Sequence, residues 1–218
     1  MTASMDQLAV EHALAELARP TLTDVEVFLT RHVLEEQNGV PVVAGVVLND
    51  EGVHDVYLRV EDQFYFLVLM LRFEDRTPSL LGCRIEAGST VYLRVSSEQL
   101  SAEDITARIG LIPSKSTSKG EISSRTGRPY PGSDWSLCPA GNGLKDPGEV
   151  ETKFTRLLDA TQEVAEHIKA LASTTCTVHV TVAYYGYAQQ MWGLALTPWH
   201  LERLAALGAT LDVDLYAS

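Results

Sequence analysis

The apolar positions of this chain change their period more than once. Leu8, Leu14 and Leu17, with alanines between them, predict a first helix. It ends at Arg19-Pro20, because the residue before a proline is pushed out of helical space. Thr23 as an N-cap, Asp24 and Glu26 in the first turn, and Val25, Phe28, Leu29, Val33 and Leu34 at helical spacing predict a second helix, stopped by Asn38-Gly39. From Pro41 the pattern becomes runs of β-branched and aromatic residues over 41–48, 53–60, 64–72 and 80–86. Short polar breaks separate them, which reads as an antiparallel meander closed by Gly88.

The second half opens with a strand over 90–95 and a helix whose start carries Ser101 as cap and Asp104 as its capping-box partner. Gly110 stops that helix. Phe154, Leu157, Leu158, Val164, Ile168 and Leu171 share one stripe, predicting a single long helix over 149–172. Val178, Val180 and Val182 alternate in a strand over 176–185. Thr197-Pro198 then caps a last helix ended by Gly208, and 210–216 alternates as a final strand. The expected fold is α+β: an N-terminal lobe of helices and antiparallel meander over 1–89, and a lobe over 90–218 with a mixed or antiparallel sheet and three helices.

Several landmarks of the second lobe recur in order: the strand Val91 to Val95, the helix start Leu100 to Thr106, Ile109-Gly110-Leu111-Ile112-Pro113, Lys119-Gly120-Glu121, Trp135-Ser136-Leu137, the long helix, and the closing stretch from Leu204 to Tyr216. In that order they resemble the bacterial family called domain of unknown function 4279, over about residues 90–218. The resemblance implies a fold and a boundary; the family carries no catalytic residues to transfer. Residues 1–89 resemble nothing that can be named.

Charge narrows the partners. The net charge is −12, and 15 acidic against 6 basic side chains fall within residues 1–89. Nucleic acid and anionic membrane are bound by Lys and Arg displacing counterions, so neither is expected here. A basic protein partner fits such a surface, and so does simple solubility. Cys83, Cys138 and Cys176 are an odd set, unlike a disulfide scaffold, which points to a reducing cytoplasmic setting. The N-terminus lacks the charged and apolar regions of a signal peptide.

The least typical segment is 113–134, rich in Ser, Thr, Gly and Pro, where Lys115, Lys119, Arg125 and Arg128 outnumber Glu121 and Asp134. Long loops in compact domains are usually functional or mobile. With Tyr130 and Trp135 as stacking faces, these cations can hold a phosphate, a carboxylate or an acidic peptide; a merely solvated loop is the competing view. Tyr184, Tyr185, Tyr187 and Trp192 form an aromatic hairpin suited to an interface, or equally to sheet packing. Ser116 and Lys119 match the Ser-x-x-Lys spacing of acyl-enzymes without its partner motifs. Cys176 and His179 lie at an odd offset on a strand, and opposite faces cannot share one zinc. No catalytic set, cofactor motif or metal site emerges. The leading expectation is therefore a non-enzymatic protein-binding module of the immunity or antitoxin kind. The alternative is a small-anion binding protein, or an enzyme, with its site at the basic segment.

Overall fold

The structure is a computed structural model that describes residues 4–185 and 193–216. Helix α1 (Met5–Ala18) starts at Ser4, whose hydroxyl accepts from the Gln7 N–H at 3.1 Å. Its buried face is Ala9, Ala13 and Glu16, while Leu8, Leu14 and Leu17 are only half-buried beside it. Small side chains let the helix lie close to the sheet behind it. Helix α2 (Thr23–Leu29) is capped differently from the expectation: its N-cap is Leu22, with no side-chain bond of its own. Glu16 instead fixes the turn leading into the helix, accepting from the N–H groups of Thr21 and Leu22 at 2.8 and 2.9 Å and from the Thr21 hydroxyl at 2.7 Å. Burial pushes the Glu16 carboxyl up, but these bonds outweigh it and hold the group below its ordinary range.

Helix α2 also ends early, at Leu29. Leu34 lies beyond it and bridges to Val60. Asn38 and Gly39, both at positive φ (56° and 76°), turn the short hairpin β1 (Glu36–Gln37) and β2 (Val40–Pro41). Asn-Gly here is a hairpin signal and not a helix stop.

Strands β3 (Val43–Leu48), β4 (Val53–Arg59), β5 (Tyr65–Glu74) and β6 (Thr77–Ser97) form the antiparallel meander. The two strands expected over 80–86 and 90–95 are one strand of 21 residues, so Gly88 does not close the first half. Ala87 pairs with Tyr65 of β5, and Gly88 begins the pairing with a later strand, opposite Tyr185. A Cβ at Gly88 would stand 2.1 Å from the carbonyl oxygen of Phe64, to which the Gly88 N–H donates. Only glycine permits that approach. The boundary between residues 89 and 90 falls inside β6.

Helix α3 (Ala102–Ile109) has the expected capping box of Ser101 and Asp104, and Gly110 ends it in the left-handed region. Then follow β7 (Lys115–Thr117), β8 (Ser133–Leu137), α4 (Val150–Thr161), α5 (Ala165–Ala172), β9 (Thr177–Tyr185), α6 (Pro198–Ala206) and β10 (Thr210–Tyr216). The expected single helix over 149–172 is broken by a 3-10 turn, Gln162–Val164. The buried Thr161 hydroxyl donates back to the Leu157 carbonyl at 2.9 Å, a bond that bends helices. The strand order is β10-β9-β6-β5-β4-β3, with β8 on β6 and β7 on β8; β9 and β10 are parallel and the other pairs antiparallel.

Among the described residues two large hydrophobic cores lie along this sheet, with a smaller cluster of Tyr57, Phe66 and Val68 beside them. One packs α1 and α2 on Val56, Leu58, Leu67 and Leu69. The other packs the C-terminal helices on Val91, Leu93, Trp135, Val180 and Val182. The connection over 138–149 fastens the two halves. Pro147 lies against Gly45, where a Cβ would come within 2.9 Å of the proline ring. Glu149 accepts from Arg84 at 2.9 Å, and Arg84 also grips the buried Asp55 with two bonds of 3.0 and 3.2 Å. Lys153 of α4 has no exposed surface, and its ammonium donates to the carbonyls of Ser89, Asp146 and Gly143 at 2.8, 2.9 and 3.3 Å. Asn142, equally buried, bonds the carbonyls of Lys153 and Val91. Among the described residues no helix is long and apolar enough to cross a membrane.

Candidate functional site

Alternation decides what the C-terminal sheet shows. In β6 the residues Val91, Leu93 and Val95 point into the core under the helices, so Tyr92, Arg94 and Ser96 occupy the opposite face. In β8 the buried Ser133 and Trp135 leave Asp134 and Ser136 on that same face, and the register sets Lys115 and Thr117 of β7 beside them. The result is a groove of about 400 Å³ between β6, β8 and the 114–130 segment, lined by Tyr92, Arg94, Lys115, Tyr130, Asp134 and Ser136, among others. A second groove of about 510 Å³ adjoins it and shares Arg94 and Asp134.

The charges in this groove are not equivalent. Asp134 is committed: it accepts from Arg94 at 2.8 Å (Nε) and from the Ser96 hydroxyl at 2.6 Å. Arg94 Nη2 is also 2.7 Å from the same oxygen. Among the described residues no carboxylate lies within ion-pair distance of the Lys115 ammonium. The groove therefore presents an uncompensated cation, an arginine already oriented by its partner, hydroxyls and two phenol rings. Such a lining suits a planar or hydroxylated group bearing an anion. Nothing in it forms an activated nucleophile. Burial pushes the Cys138 thiol up, away from the reactive thiolate, and the Ser114 hydroxyl exchanges two bonds with the Cys138 backbone.

The segment over 113–134 is a paired structure. Beyond β7, the Gly120 N–H donates to the Tyr130 carbonyl and the Tyr130 N–H to the Glu121 carbonyl, at 3.0 and 2.9 Å, and Ile122 bridges to Pro129. Of the expected binding residues, Lys115 and Tyr130 meet in the groove. Lys119 does not: its ammonium donates to the Glu98 carbonyl at 3.0 Å. Arg125 and Arg128 stand exposed near the hairpin tip and do not line the groove. Trp135 is no stacking face, being fully buried with its indole N–H donating to the Thr106 hydroxyl at 3.1 Å. Ser116 and Lys119 do not form a serine–lysine pair.

The aromatic hairpin is likewise altered. Tyr184 is 3% exposed and belongs to the core, its hydroxyl donating to the Gly193 carbonyl. Its position in β9 matches Val180 and Val182 on the helix side, so the ring faces the core and not the surface expected for it. Tyr185 lies on the open face, half-buried and stacked on Tyr216 with ring centroids 4.9 Å apart. Tyr187 and Trp192 lie outside the described residues. His179 bonds Thr210, and Cys176 is buried; among the described residues no group of three His, Cys, Asp or Glu side chains could hold a metal.

Sequence reasoning missed Tyr92, Arg94, Asp134 and Ser136. Their signal was available, since Tyr92 and Arg94 alternate with Val91, Leu93 and Val95.

The fold and groove define an α+β protein with one face of its C-terminal sheet left open. The family model described as Domain of unknown function (DUF4279) matches residues 86–218, more than half of the chain. The chain belongs to that family. No curated protein and no solved structure matches it.

Proposed function

We propose that this chain is a non-catalytic binding protein whose C-terminal sheet holds a small anion-bearing ligand in the groove between Lys115 and Arg94. The observation that carries this reading is the unpaired Lys115 ammonium opening onto the same cavity as the Asp134-oriented Arg94 and the rings of Tyr92 and Tyr130. Acid-base chemistry lacks support, because the groove's one carboxylate is bound to arginine. Three free cysteines accord with a reducing, cytoplasmic setting.

A thermal-shift screen of phosphate, nucleotides, sugar phosphates and polycarboxylates tests the reading, since a ligand bound only by the native state raises apparent stability. Stabilisation that disappears in Lys115→Ala and Arg94→Ala supports it. A screen without a hit, or hits indifferent to both variants, removes it.

A second reading is recognition of a basic protein through residues 1–89, in the manner of immunity or antitoxin proteins. Its support is the excess of carboxylates there, 15 against 6 cations. Burial of Tyr184 takes away one of the rings on which an aromatic interface would rest.

A further inference from the structure

Strand β10 ends the sheet. It pairs along its whole length with β9, from Thr210 opposite His179 to Tyr216 opposite Tyr185, and among the described residues no strand pairs with its other side. Pairing on one side leaves the N–H and C=O groups of alternate residues directed outward, a template for a further strand. The helices cover only the start of β10. Leu211 packs on the core, whereas Val213 and Leu215 on the same face are 43% and 50% exposed. On the opposite face stand Asp212 and Asp214.

A second copy of this chain is a poor occupant. Symmetric antiparallel pairing places residues of one face opposite each other. Centred on Asp212, Val213 or Asp214, it sets aspartate against aspartate, which is destabilising. The same alternation suits a different strand, with lysine or arginine facing Asp212 and Asp214 and apolar residues beside Val213 and Leu215.

We propose that the outer edge of β10 docks an extended basic peptide segment of another protein by strand addition. This surface lies on another element from the groove and from residues 1–89, and it stands or falls independently of both. The probe is a short peptide of alternating lysine and valine, compared with its glutamate–valine counterpart at about 150 mM salt. The readout is amide hydrogen exchange of β10.

The lysine peptide is expected to slow exchange at the outward amides of β10 by about tenfold or more, and the glutamate peptide to leave them unchanged. In the double variant Asp212→Lys, Asp214→Lys, whose altered side chains project from the surface strand, the preference is expected to reverse. Leu215→Ser, with both aspartates kept, is expected to weaken protection while retaining the preference for lysine. Unchanged exchange in β10, equal effects of the two peptides, or protection confined to other residues would overturn the proposal.

Discussion

The ammonium of Lys153 donates to the carbonyl oxygen of Ser89 at 2.8 Å, joining the first buried turn of α4 to the middle of the longest strand. The carbonyls of Asp146 and Gly143 and the Ser89 hydroxyl complete its shell, so a single buried cation holds the 138–149 connection against β6. Lys153→Met fits the space but abandons three carbonyl acceptors, each costing about 1–3 kcal/mol when buried without a partner. A loss of at least about 2 kcal/mol is expected in urea unfolding.

The same lysine gives a pH signature. Burial pulls its ammonium from the ordinary 10.5 to about 8, against the weaker opposing pull of Asp146 and Glu86. Between those values the unfolded chain keeps a proton that the native chain has released, so this group's contribution to stability rises with pH across that window and is constant below about 8. The difference in unfolding free energy between wild type and Lys153→Met is expected to grow between pH 8 and 10.5. A flat difference would contradict it.

Gly88→Ala puts a methyl group into the Phe64 carbonyl at the point where β6 exchanges β5 for β9. Backbone must move, and a loss of about 3 kcal/mol is expected. Gly82→Ala in the same strand meets only the flexible end of Met70 at 3.2 Å, and its cost is expected to stay below about 1 kcal/mol.

Arg84→Met strands the carboxylate of Asp55, which is 1% exposed. Removing one partner of a buried pair costs about 3–5 kcal/mol. Replacing both, as Asp55→Leu with Arg84→Met, is expected to recover a large part of that loss, which a double-mutant cycle in chemical denaturation measures.

Trp135 supplies a test of the groove. With Trp192 and Trp199 changed to phenylalanine, the remaining tryptophan is expected to emit at short wavelength and to resist iodide quenching, because its ring is buried in the core beneath α3. Ready quenching would return Trp135 to the surface and undo the lining described for the site.

Local chemistry was legible in the sequence. The Ser101 and Asp104 box, the Thr197-Pro198 start and the bounds of β10 depend on neighbours a few residues apart, and each lies where pattern and propensity place it. What sequence hid depends on distant partners. Gly88 reads as a break until the Phe64 carbonyl is seen against it, and Asn38-Gly39 turns a hairpin that the Leu34–Val60 bridge and the bonds of Glu35 and Val42 with Arg59 fix in place. Lys153 sits at a stripe position of α4 with Val150, Phe154 and Leu157, but a lone lysine on an apolar face gives no hint of the carbonyls that enclose it. In the candidate site, the positive segment was visible. Its division into a groove cation, Lys115, a backbone-bound Lys119 and two tip arginines required the pairing of β7 with β8.

The most direct measurement of the central claim is titration calorimetry of the best anion from the thermal-shift screen against wild type, Lys115→Ala, Arg94→Ala and the tip variant Arg125→Ala, Arg128→Ala. If the groove is the site, the first two variants lose about tenfold or more in affinity while the tip variant binds as wild type does. Equal affinity in wild type and the groove variants, or a loss confined to the tip variant, would contradict it.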